Sequence, residues 1–102
     1  MAELLPSIPY DVKSISGLLY TDVITTGDVN NVIGNAIIQI RAGDADSNIK
    51  NIPVNDYGVL LCFANTLSND VSSAYYRCQL FISQQKFYYR IFTSQWGVWY
   101  SI

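Results

Sequence analysis

This 102-residue chain has no histidine and little charge: Asp, Glu, Lys and Arg together make up 14% of it, where about 25% is usual. Without histidine the chain lacks the commonest general base, the usual partner of a Ser or Cys nucleophile, and the commonest zinc ligand. Its eight acids are Glu3 and seven Asp, and the Asp residues fall mostly at turns, where their side chains bond nearby backbone. Hydrolysis by paired carboxylates needs two acids on rigid neighbouring elements, and no such pair is legible. There is no Gly-rich phosphate loop, so no cofactor is expected. Composition therefore predicts a structural or binding protein and not an enzyme.

Other partners are excluded on similar grounds. The net charge is −2, and Lys13, Arg41, Lys50, Arg77, Lys86 and Arg90 are scattered, whereas neutralising a phosphate backbone needs a basic stripe. Nucleic acid is not an expected partner. No apolar run approaches the ~20 residues that cross a bilayer, since the longest is Val59 to Ala64. The first residues lack a basic stretch followed by an apolar one. The expectation is a protein made in the cytoplasm and not inserted in a membrane. In that setting Cys62 and Cys78 are read as reduced, buried thiols. A symmetric antiparallel pairing would set them opposite each other and make a disulfide the alternative.

The chain is half hydrophobic, 50% by residue, which gives a small domain too few charges to cover its surface. Composition thus favours an oligomer in which other copies cover part of it. The 14 aromatics (8 Tyr, 4 Phe, 2 Trp) lie from Tyr57 onward, except Tyr10 and Tyr20.

Residues 1–20 are interrupted by Pro6 and Pro9, which break an early helix. Leu4, Leu5, Ile8, Tyr10 and Val12 have no evident core partner nearby. An extended arm that docks these residues on another protein is expected here, with a short helix over residues 11–20 as the alternative. From Ala36 the pattern becomes β: Ile38 and Ile40 alternate with Gln39 and Arg41. Residues 43–48 and 65–73 read as loops. Tyr57 to Ala64 is apolar on both faces and predicts a strand covered on both sides. Residues 74–82, 87–92 and 96–102 complete an antiparallel meander. The fold class is all-β, a small antiparallel β-sandwich at residues 21–102 behind the arm at 1–20.

Two constellations invite a chemical reading. Asp44, Asp46 and Asn48 alternate like the start of a calcium loop, but Ile49 and Asn55 stand where Gly and a bidentate Glu are needed. An Asx turn explains them, so no metal is assigned. Tyr75, Tyr88, Trp96, Trp99 and Tyr100 could form a stacking platform for sugar rings, or pack in the core or a subunit interface. The second use is favoured, with Arg77 and Arg90 stacking on neighbouring rings.

The succession Asn51-x-Pro53, Tyr57-Gly58-Val59-Leu60-Leu61, Gln79-Leu80-Phe81-Ile82, Phe87-Tyr88-Tyr89-Arg90 and Trp96-x-x-Trp99 resembles the knob domain of phage and pyocin tail fibres. The similarity covers residues 19–102. It departs from that pattern at Thr93-Ser94-Gln95, where the family commonly has a Gly-rich turn. The resemblance implies a β-sandwich knob, usually a homotrimer, carried by a virion. Only some twenty residues precede the knob, as in the short head-fibre proteins of crAss-like phages. The expected partners are two sister copies and another virion protein that receives the arm. The alternative role is a receptor-binding tip that recognises bacterial surface glycan through exposed aromatics and the loops at 43–48 and 65–73.

Overall fold

A computed structural model describes residues 19–64 and 76–102 of the chain. Among these the order is β1 (Tyr20–Ile24), β2 (Thr26–Asp28), a 3-10 turn η1 (Val29–Asn31), β3 (Ala36–Arg41), β4 (Asn48–Lys50), β5 (Tyr57–Ala64), β6 (Arg77–Ser83), β7 (Phe87–Phe92) and β8 (Tyr100–Ser101). The all-β class holds. Six strands form one sheet in the order β1-β3-β5-β6-β7-β8, and β2 pairs with β4 in a second, two-stranded one.

The ladder from β3 to β8 is antiparallel, as expected for strands joined by short connections. The other edge differs from that expectation. β1 lies parallel to β3, and β2 lies parallel to β4. A parallel pair needs a connection that crosses over the sheet, and here β2 and η1 form it. The chain leaves β1 at Thr25, whose carbonyl takes the Asn48 N–H at 2.8 Å, and continues into the small sheet. β3 leaves the large sheet for β4 in the same manner, through the turn at residues 42–47. Asp28 starts η1 by accepting the Asn30 N–H at 2.9 Å, which satisfies a donor that a helical turn leaves free.

β2, β4 and η1 cover one face of the large sheet. The core on that face is Val29, Ala36, Ile38, Ile40, Ala42, Ile49, Leu60, Cys62 and Phe81, with Ile52, Val54, Trp96 and Trp99 packed against it. Each Leu, Ile or Phe so buried contributes about 1.5–3 kcal/mol relative to exposure. Register explains the selection. Ile38 opposes Leu60 and Leu60 opposes Phe81, so alternate residues of three strands converge on one side. Gly58 makes room for the Phe81 ring: a Cβ there would lie 2.6 Å from the Ile82 carbonyl and 2.8 Å from the ring.

One expectation is corrected and two are refined. Among the described residues β5 is covered on one side: Leu60 and Cys62 are buried, whereas Tyr57 and Phe63 are exposed and Val59 and Leu61 only half-buried. The last strand shrinks to Tyr100–Ser101, because Trp96 makes only an isolated bridge to Phe92 and the chain then swings over the covered face. The cysteines are reduced, as favoured, with Cys62 buried but Cys78 only half-buried, and the alternative pairing fails because the two do not oppose each other. Cys62 faces Gln79 and Cys78 faces Phe63, so the two thiols lie on opposite faces of the sheet, and both are free. The anchoring residues Leu4, Leu5, Ile8, Tyr10 and Val12, and the loop at 65–73, lie outside the described residues.

Candidate functional site

Two features stand out, one on each face of the large sheet. The covered face holds a buried polar cluster. Gln79 on β6 and Arg90 on β7 are directly opposed and both are buried, at 0% and 4% exposure. The Gln79 Oε1 accepts from Arg90 Nε at 2.9 Å and from Nη2 at 2.8 Å. Gln79 Nε2 in turn donates to the carbonyls of Val29 at 2.8 Å and Val32 at 3.1 Å. A strand is thereby joined to η1 through one amide.

The Arg90 guanidinium lies 4.5 Å from the Trp96 ring centre and 4.6 Å from that of Trp99. Both distances are within the range in which a ring face attracts a cation. Each indole is fixed at its polar end. Trp96 Nε1 donates to the Asn30 carbonyl at 3.0 Å, and Trp99 Nε1 to the Asn51 carbonyl at 2.8 Å. Asn51 adopts φ 68, a left-handed conformation that Asn tolerates better than most residues. Its side chain donates to Asp28 Oδ1 at 2.7 Å.

Burial pulls the Arg90 pKa down to about 10, against the attraction of Asp28, so Arg90 remains a cation at neutral pH. For Asp28, burial acts upward, but hydrogen bonds from Asn51 and the Asn30 N–H, with Lys50 and Arg90 nearby, hold its carboxyl below the ordinary value. Within the cluster Gln79 accepts from Arg90 Nε and Nη2 and each indole lies over the guanidinium, while the Asn30 Oδ1 beside it is buried without a hydrogen-bond partner. Arg77 makes a second contact of this type, 5.3 Å from the Phe92 ring centre, with Nε donating to the Ile33 carbonyl at 2.6 Å.

The opposite face has no covering layer among the described residues. Register places Ile37, Gln39 and Arg41 of β3 there, with Tyr57, Val59, Leu61 and Phe63 of β5. Cys78, Leu80 and Ile82 of β6 continue it, then Phe87, Tyr89 and Ile91 of β7 and Tyr100 of β8. Phe63, Phe87, Ile91 and Tyr100 are about half exposed. A shallow groove between Phe63, Tyr76, Cys78 and Ile91 marks one end of this face. Tyr89 and Tyr100 stack with ring centres 5.4 Å apart.

Arg41 is the one charged residue at the strand positions of this face, and it sits at the rim. Its Nε meets Asp44 Oδ2 at 2.9 Å, and its guanidinium lies over the Tyr57 ring, whose hydroxyl donates to Asp44 at 2.7 Å. These contacts occupy the first acid of the calcium-like run. The hydrogen bonds from Arg41 and then Tyr57 hold the Asp44 carboxyl below its ordinary value.

The sugar-platform residues are thus divided. Trp96 and Trp99 close on Arg90, and Tyr88 packs half-buried against Phe81 on the same face, 6.3 Å between ring centres. Tyr100 is on the other face, and Tyr75 lies outside the described residues. Sequence reasoning anticipated that Arg77 and Arg90 stack on rings but missed Gln79, which links Arg90 to η1. The only signal for it was a polar residue in phase with Phe81. Comparison with known protein families, with curated proteins and with solved structures finds no match to this chain.

Proposed function

We propose that this chain is a structural subunit of a bacteriophage virion: a fibre knob of three copies, attached to the particle through residues 1–20. The observation that carries this reading is the uncovered apolar face of the six-stranded sheet. A chain that is 14% charged and whose described residues leave one face of the large sheet without a covering layer has the surface of a subunit rather than of a solitary domain. The ordered succession of motifs resembling fibre knobs supplies the biological setting. The polar cluster adds a reason for rigidity, since it ties the large sheet to η1 and to the loops that carry both tryptophans.

The alternative, a tip that binds bacterial surface glycan, has less support. Trp96 and Trp99, the best stacking groups, spend their ring faces on Arg90.

Sedimentation of the full chain at micromolar concentration should give the mass of three subunits, and a single subunit there overturns the reading. Replacing Leu4, Leu5 and Ile8 together by Asp should leave that trimer intact and exclude it from purified particles. Unchanged incorporation overturns the anchoring role of the arm.

A further inference from the structure

From the geometry of the large sheet we infer that copies of this chain associate through the open face of β5, β6 and β7, and not through the sheet edges. This rests on the oligomeric reading above and assigns it a surface.

The two edges are poor templates for strand addition. On β1, the Asp22 side chain accepts the Val23 N–H at 2.7 Å and the Tyr20 hydroxyl at 2.6 Å. This places a carboxylate, held below its ordinary pKa by those hydrogen bonds, in the middle of an edge strand. β8 at the other edge has two residues. Charged and short edges are how sheets resist pairing.

The face has the opposite character. The six strands have five, six, eight, seven, six and two residues; at about 3.3 Å per residue and 4.8 Å between strands they present roughly 500 Å² in projection, and more as side-chain surface. With side-chain relief added this moves toward the ~800 Å² that each partner contributes to a standard interface, and it lies in the upper part of the range for the largest apolar patch of a monomer, about 300–600 Å², which is often functional.

The occupant follows from charge and width. Arg41, the charged residue of the face, is already paired with Asp44 at the rim. Two identical faces can therefore meet without opposing like charges, and like-charge contact is the usual obstacle to self-association. A partner chosen by charge would find nothing complementary here. The chain's own residues 1–18 and 65–75, each laid across as one extended strand, would together cover about two strand widths of the six. Three copies with this face turned toward a common axis cover one another's sheets, each face lying against those of its two neighbours.

Cys78 is a probe already in place on this face, and Cys62, buried on the other, is its internal control, with a thiol that burial pushes up to about 12. Full-length protein is treated with a maleimide over a dilution series while mass is followed by sedimentation. The expected result is slow labelling of Cys78 in the oligomer and at least a tenfold acceleration as dilution yields single subunits. Slow labelling of single subunits assigns the cover to the same chain, residues 1–18 or 65–75, and overturns the inference, as does rapid labelling of the intact oligomer.

The double variant Phe63→Lys, Ile91→Lys gives an independent reading. It should sediment as a single subunit with unchanged far-ultraviolet dichroism and tryptophan emission, while Asn48→Lys on the opposite layer leaves the oligomer whole. An oligomer that survives the double variant refutes the face but leaves the trimeric reading standing. A wild-type chain that is a single subunit at micromolar concentration refutes both.

Discussion

The two faces of the six-stranded sheet are built from the same strands, residue by alternate residue, yet they differ in kind. The covered face mixes aliphatic residues with Arg77, Gln79 and Arg90, all three buried and hydrogen-bonded. The open face is almost purely apolar: Leu61, Leu80, Ile82 and Tyr89 in the middle, Phe63, Phe87 and Ile91 around them. Over β6 and β7, polarity is thus greater on the covered face than on the open one. A buried cation is tolerated when its donors find acceptors and its charge finds ring faces. An apolar face is tolerated when another surface removes it from water. The first condition is met among the described residues, and the second, as proposed above, falls to other copies of the chain.

The comparison predicts unequal costs for equal truncations. Phe81→Ala, on the covered face, should lower the subunit's stability to urea by about 3–5 kcal/mol, because the ring is wholly enclosed and leaves a cavity. Phe63→Ala, on the open face, should cost an isolated subunit less than about 1 kcal/mol and instead weaken association. Equal losses in urea titrations of dilute subunits would erase the distinction between the faces.

Gln79→Leu sharpens the account of the polar cluster. It leaves two backbone carbonyls and the Arg90 donors without their partner, at a cost of about 2–4 kcal/mol. Tryptophan emission should shift as the indoles lose a fixed cation. A loss below about 1 kcal/mol with unchanged emission would make the cluster incidental.

The smallest effect is on the acid limb of stability. Asp28 has a folded pKa below the ordinary 3.8. Its contribution is therefore present above that value and is lost as pH falls through the folded one. Asp28→Asn should flatten the stability profile below about pH 4 and cost about 1 kcal/mol or less at neutral pH, the scale of a helix cap. An unchanged acid limb would show that Asn51 and η1 do not depend on that charge.

How much of this was legible beforehand varies by element. β3 was readable because Ile38 and Ile40 alternate with polar Gln39 and Arg41, and one buried face leaves that period. β6 and β7 were readable as strands, but their inward faces were not. By composition Cys78, Leu80 and Ile82 make the better core, yet Arg77, Gln79 and Phe81 are the residues that turn inward. β1, β2 and β4 were missed. β2 and β4 have three residues each, too short for a period, and their parallel pairing joins segments some twenty residues apart. The Trp96–Arg90–Trp99 clamp was half visible: ring stacking by Arg90 follows from its aromatic neighbours, whereas Gln79 as its acceptor depends on strand register.

The amino-acid order by itself determined the strand-rich class, the lack of histidine chemistry and the shortage of charge, because these follow from composition and from periods of two within single strands. Only the tertiary structure decided which face each strand turns inward, where β1 and β2 pair, and that Gln79 rather than a carboxylate meets Arg90. Those outcomes depend on contacts between residues far apart in the chain. Two apolar faces of one strand are equivalent until β2, β4 and η1 cover one of them.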